Sequence, residues 1–127
     1  MTEHDSRRLQ ALLTAARATQ PEMEGSLRIL ERLLETADVV ASEDVPDDIV
    51  TMNSQVRLRN DDDGREMVLS LVFPEDARGS DFDKVKLSIL THTGLSMLGR
   101  KVGDTIDGHL RIVELLYQPE AADDFDL

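Results

Sequence analysis

The chain has 127 residues and carries 26 Asp and Glu against 14 Lys and Arg, a formal charge of −12. With 40% hydrophobic residues it has the apolar material for one small core, which argues against wholesale disorder. So acidic a chain lacks the cationic field that grips a phosphate backbone, so direct nucleic-acid binding is not expected, while a basic protein surface would attract it.

Leu9, Leu12, Leu13 and Ala16 recur at helical spacing, with Asp5 or Ser6 as the expected N-cap. The pattern stops at Thr19-Gln20-Pro21, because proline disfavours helical torsions in the residue before it. Leu27, Leu30, Leu33, Leu34 and Ala37 form a second stripe. Two short helices joined by residues 18–26 predict an antiparallel hairpin over residues 1–40, whose arms of roughly 12–15 residues would reach only about 20 Å. Each stripe is expected to bury itself against the other or against a partner.

Residues 41–48 are acidic and read as a linker. From Ile49 the period changes to that of strands, and residues 49–119 predict a small sheet domain. Val56 and Leu58 alternate with Arg57 and Arg59 over residues 55–60, residues 60–64 (NDDDG) read as a turn, and residues 66–73 return. Residues 74–82 read as a loop and residues 85–90 as a third strand. A helical turn or two follows over 93–99, with Gly99 at the C′ position. Residues 100–108 look like a turn region and residues 109–117 a last strand, whose apolar positions fall out of phase and predict a bulge. The end of the chain from Gln118, with residues 120–127 as an acidic tail, is expected to be loose.

Chemistry-bearing patterns are few. Cysteine is absent, which excludes disulfides, thiolate nucleophiles and Cys-based zinc sites. His4, His92 and His109 lack metal-ligand spacing, and residues 61–64 (DDDG) fail the calcium-loop pattern because Arg59 and Ser70 stand where ligands are needed. Residues 99–103 (GRKVG) do not make a phosphate-binding loop. Two paired-carboxylate candidates remain, Glu22 and Glu24 at the hairpin tip and Glu43, Asp44, Asp47 and Asp48 in the linker, and the tip pair could hold Mg²⁺, which takes one or two carboxylates plus water. Solvated charge in a turn is the simpler reading, and no cofactor is expected. No apolar stretch reaches the roughly 18–20 residues of a membrane span, and Met1–Gln10 is polar. A cytoplasmic monomer is the expectation.

Residues 94–104 (GLSMLGRKVGD) resemble the L-G-x-A-L-L-G-K-x-V-G-D signature of the C-terminal domain of Gre-type transcript cleavage factors. Residues 50–60 (VTMNSQVRLRN) and 117–122 (YQPEAA) narrow the resemblance to the regulators of nucleoside diphosphate kinase, bacterial relatives of those factors. The resemblance implies an α+β fold: a short helical hairpin followed by an FKBP-like antiparallel sheet domain with one short helix. It also implies docking on RNA polymerase at the rim of the secondary channel, with the hairpin pointing inward.

Thr91-His92 stands where Gre factors carry Ser-Pro, and residues 105–108 (TIDG) replace their Pro-Gly-Gly hairpin, so a shorter last strand pair is expected. The implied partner-binding residues are Thr91, His92, Leu95, Met97, Arg100 and Lys101. A cleavage factor must deliver tip carboxylates to the polymerase's Mg²⁺, which demands long arms. Arms of about 20 Å imply occupation of the channel without catalysis. The alternatives are a true cleavage factor and a peptide-binding or prolyl isomerase module, the latter poorly supplied with aromatic pocket residues, having only Phe73, Phe82, Tyr117 and Phe125.

Overall fold

The structure, a computed structural model, describes residues 1–77 and 85–122. Helix α1 spans Glu3–Thr19 and helix α2 spans Glu24–Thr36, joined through a 3-10 turn over Pro21–Met23. The N-cap is Thr2, not Asp5 or Ser6: its Oγ1 accepts the Asp5 backbone N–H at 3.0 Å, which starts the helix earlier and leaves Asp5 and Ser6 buried inside it. Arms of 17 and 13 residues correspond to about 25 and 20 Å. The Met1 ammonium donates to the Asp38 carbonyl at 2.8 Å, and the Val40 N–H to the Met1 carbonyl at 2.9 Å, so the start of α1 lies beside the end of α2.

The apolar stripes do not wait for a partner. Leu9, Ala16, Leu27 and Leu30 belong to one continuous core with Val50, Met52, Val56, Leu58, Leu71, Ile89 and Ile112. Helices and sheet therefore exclude water together, and the burial of apolar surface holds the hairpin against the rest of the chain. Arg8 adds a polar clamp, its guanidinium 4.0 Å from the centroid of the Phe73 ring.

Among the described residues, five strands form one mixed sheet in the order β3-β2-β1-β5-β4, from β1 (Gln55–Asn60), β2 (Glu66–Val72), β3 (Val85–Ser88), β4 (Thr105–Ile106) and β5 (Leu110–Tyr117). A short helix, α3 (His92–Met97), follows β3. The expectation of an antiparallel sheet fails at one edge, where β3 runs parallel to β2 with Leu69 opposite Val85 and Leu71 opposite Leu87. A parallel pair needs a crossover of about a dozen residues or more, and residues 73–84 supply that length. Their first part is a 3-10 turn over Pro74–Ala77, while the rest of the expected 74–82 loop, with Phe82, lies outside the described residues. The expected turn region 100–108 contains the two-residue strand β4, which pairs with β5 through Thr105–Arg111 and Ile106–Leu110.

The bulge expected in the last strand is present twice. β5 pairs with β1 from Gln55–Tyr117 to Asn60–Leu110, with register shifts that leave Val113 and Leu116 without an opposite residue. Each shift turns the following side chains over, which accounts for the broken alternation. The chain end is less free than expected. Gln118 and Glu120 are buried, and the Gln118 amide donates to the carbonyls of Pro46 (2.8 Å) and Ile49 (2.7 Å). Residues 123–127, with Phe125, lie outside the described residues.

Candidate functional site

α3 and the turns on either side of it gather most of the residues singled out from sequence. Thr91 caps the helix: its Oγ1 accepts the Gly94 N–H at 3.1 Å and donates to the Ser88 carbonyl at 2.7 Å. Gly94 is required there, since a Cβ at that position would sit 2.4 Å from the Ser88 carbonyl oxygen. Gly99, at φ +82°, ends the helix in the left-handed conformation that favours glycine. The chain then runs beside residues 48–50: Val50 donates to the Arg100 carbonyl, Gly99 to the Val50 carbonyl and Val102 to the Asp48 carbonyl.

Asp107 organises the exposed side of this corner. Asp107 and Gly108 both have positive φ (52° and 78°), and the His109 N–H reaches the Ile106 carbonyl at 3.3 Å, the geometry of a tight hairpin turn. The Asp107 side chain is only 16% exposed and lies 2.9 Å from His92 Nε2. It also accepts from Thr93 Oγ1 at 3.3 Å and from Ser96 Oγ at 3.4 Å. Three α3 side chains thus converge on one carboxylate from the β4–β5 turn. The His92 ring itself is 77% exposed, so the carboxylate orients a histidine that faces solvent. His109 Nδ1 lies 2.8 Å from the Asp107 carbonyl, which brings two distant histidines to the same turn.

The expected partner-binding residues divide sharply. Thr91, His92, Arg100 and Lys101 are exposed. Leu95 (4% exposed) and Met97 (0%) are core residues and offer a partner no surface. In a helix of only six residues the apolar positions turn inward, and the outer side is left to His92, Thr93 and Ser96. Arg100 Nε donates to the Ser96 carbonyl at 3.2 Å, a cation at a helix C-terminus. The Lys101 backbone N–H donates to Asp104 Oδ2 at 3.0 Å, leaving its ammonium outside. Asp107, Thr93, Ser96 and Asp104 were not anticipated. The Asp-Gly pair at 107–108 was the available signal, because that dipeptide favours a tight reversal.

The hairpin tip carries little organised chemistry. Glu22 is exposed in the 3-10 turn, while Glu24 lies 3.7 Å from Arg17 Nη2 and 3.9 Å from Arg28 Nη2. Among the described residues no group of three or more His, Cys, Asp or Glu could hold a metal ion. Of the carboxylates in residues 61–63, Asp61 pairs with Arg111 of β5 at 3.1 Å and Asp63 accepts the Arg65 N–H of its own turn at 2.9 Å. A cavity of about 210 Å³ between α2 and the α3 turn has an aliphatic lining that includes Leu33, Ala37, Val50 and Leu98. That is not the aromatic pocket an isomerase reading calls for. Among the described residues no helix is long and apolar enough to cross a membrane.

Residues 45–113 match the sequence profile of "Transcription elongation factor, GreA/GreB, C-term". The chain belongs to the GreA/GreB family. It is 40% identical over 100 residues to the regulator of nucleoside diphosphate kinase of Escherichia coli (strain K12), covering 72% of this chain and 71% of that one. It is 35% identical over 92 residues to the transcription elongation factor GreA of Thermotoga neapolitana, covering 72% of this chain but 56% of that protein. The solved prokaryotic transcription elongation factor GreA/GreB from Nitrosomonas europaea superposes with a TM-score of 0.76 at 35% identity, over 92% of this chain and 98% of that one. These relatives are named as a regulator and as elongation factors, not as enzymes.

Proposed function

We propose that the protein docks on RNA polymerase at the rim of the secondary channel, as a monomer, and competes there with Gre factors without stimulating transcript cleavage. Its effect, as in the name of the E. coli relative, is regulation of nucleoside diphosphate kinase levels. The observation that carries the reading is the length of the hairpin. Arms of 17 and 13 residues reach about 20–25 Å, and one of the two tip carboxylates, Glu24, faces Arg17 and Arg28. Such a hairpin can fill part of a channel but is poorly equipped to carry a metal-binding carboxylate pair deep into it. The relative GreA is the longer chain, with 56% of its length matched.

The docking element on this reading is the exposed corner of Thr91, His92, Arg100 and Lys101, with Asp107 holding His92 in place. Arg100→Glu/Lys101→Glu should weaken binding to core polymerase about tenfold, or 1.4 kcal/mol, with the melting temperature unchanged. Unchanged affinity, or joint loss of affinity and stability, would move the docking surface elsewhere. A backtracked-complex assay decides the catalytic question. Robust cleavage stimulated by this protein and lost in Glu22→Ala/Glu24→Ala would make it a cleavage factor instead.

A further inference from the structure

We propose that Asp5 and Glu120 together form a proton-binding site that fastens the first turns of α1 to the sheet domain. The two carboxyl groups come from opposite ends of the chain, and both are removed from water, at 2% and 8% exposure. The Glu120 charge acts on Asp5, and two ionised carboxylates removed from water repel each other, so such a pair favours holding one proton.

The two acids are partnered unequally. Glu120 Oε2 accepts from Thr51 Oγ1 at 2.8 Å, and Thr51 Oγ1 lies 3.0 Å from Ser54 Oγ. Ser54 Oγ already accepts the Thr51 N–H at 2.9 Å, so its own proton is free to point at Thr51 Oγ1. Glu120 thus has a hydroxyl partner in Thr51, backed in turn by Ser54. Asp5 is served differently. It receives a backbone hydrogen bond from Met52, but its Oδ2 is buried with no donor among the described residues. An anionic oxygen left bare in that position costs more than a protonated one.

The other charges acting on Asp5 are Arg8, from its own helix, and the N-terminal ammonium. Both favour ionisation, yet Arg8 is drawn onto the Phe73 ring and the ammonium onto the Asp38 carbonyl. Burial, then Glu120, outweigh them and push Asp5 up to about 7. With the proton bound, the pocket holds one negative charge. Without it the pocket holds two, and α1 is pushed from its seat.

The proposal concerns the free protein and stands apart from the polymerase reading. ¹³C-carboxyl NMR of the intact chain should show Asp5 titrating near 7 rather than near its ordinary 3.8, with the midpoint falling in Glu120→Gln. Melting temperature should drop from mildly acidic to mildly alkaline pH in the wild type and drop less in Asp5→Asn, which is neutral throughout. A midpoint in the ordinary carboxylate range would overturn the proposal, and so would identical pH dependence in Asp5→Asn. Stabilisation of the wild type, but not of Asp5→Asn, by MgCl₂ or CaCl₂ alone would also overturn it, making the pair a metal site.

Discussion

At the root of the hairpin, Thr2, Asp5, Ser6 and Leu9 are all buried, and Arg8 lies over Phe73. At its tip, none of Pro21–Met23 is buried, and Arg17 pairs with Glu24 and Glu31 at the surface. The root is thus held by desolvated contacts, whose strength scales with area and burial. The tip itself exposes its polar side chains, and its ion pairs are of the kind that water and salt weaken, while Ala16 and Leu27 anchor it from behind. The difference teaches where sequence is free to vary. A change at the root alters how the hairpin sits, whereas a change at the tip alters mainly what it presents.

The contrast can be broken most forcefully at Leu9, which is fully buried. Leu9→Ala should cost about 2–5 kcal/mol, read as a lowered denaturant midpoint. A cost near zero would mean that the root is not a packed joint.

The pH dependence of Asp5 comes next. Its pKa is raised on folding from 3.8 to about 7, so between those values the folded state holds a proton that the unfolded state has lost. Stability from this group therefore falls as pH rises through that window and levels off above it, by about 4 kcal/mol at most and less as water enters the pocket. Denaturant titrations of wild type and Asp5→Asn across the window measure the difference.

At the tip the effects shrink. Arg17→Ala should lower the melting temperature slightly at low salt and not at high salt, because exposed ion pairs are screened. Glu22→Gln should leave the melting temperature unchanged, and a large drop there would show that the tip is built like the root.

Much of the sheet could be read before the structure. The alternation of Val56 and Leu58 with Arg57 and Arg59 reports a half-buried strand directly, and the phase change in β5 reports its bulges. The parallel partner of β3 could not be read, because a four-residue strand carries a period but no direction. In the corner, Thr91, His92, Arg100 and Lys101 emerged as exposed residues. Leu95 and Met97, named with them as partner-binding, lie in the core, since the motif marks apolar residues without saying which way they face. Asp107 and Asp5 stayed hidden for a common reason. Each acts through groups far away in the chain, and an acid beside a glycine or near a helix start reads first as a turn or a cap.

The pairing of β1 with β5 also governs how the molecule comes into being. β2 follows β1 at once, but the other neighbour of β1 is β5, the last of the described strands, from Gln55–Tyr117 to Asn60–Leu110. During synthesis the two helices can coil together early, since their contacts are local, while β1 waits with one edge open until β5 has been made. Glu120 follows β5, so Asp5 gains its acidic neighbour later still. Until β5 arrives, β1 presents a row of unpaired backbone groups, an edge that another chain could occupy in its place.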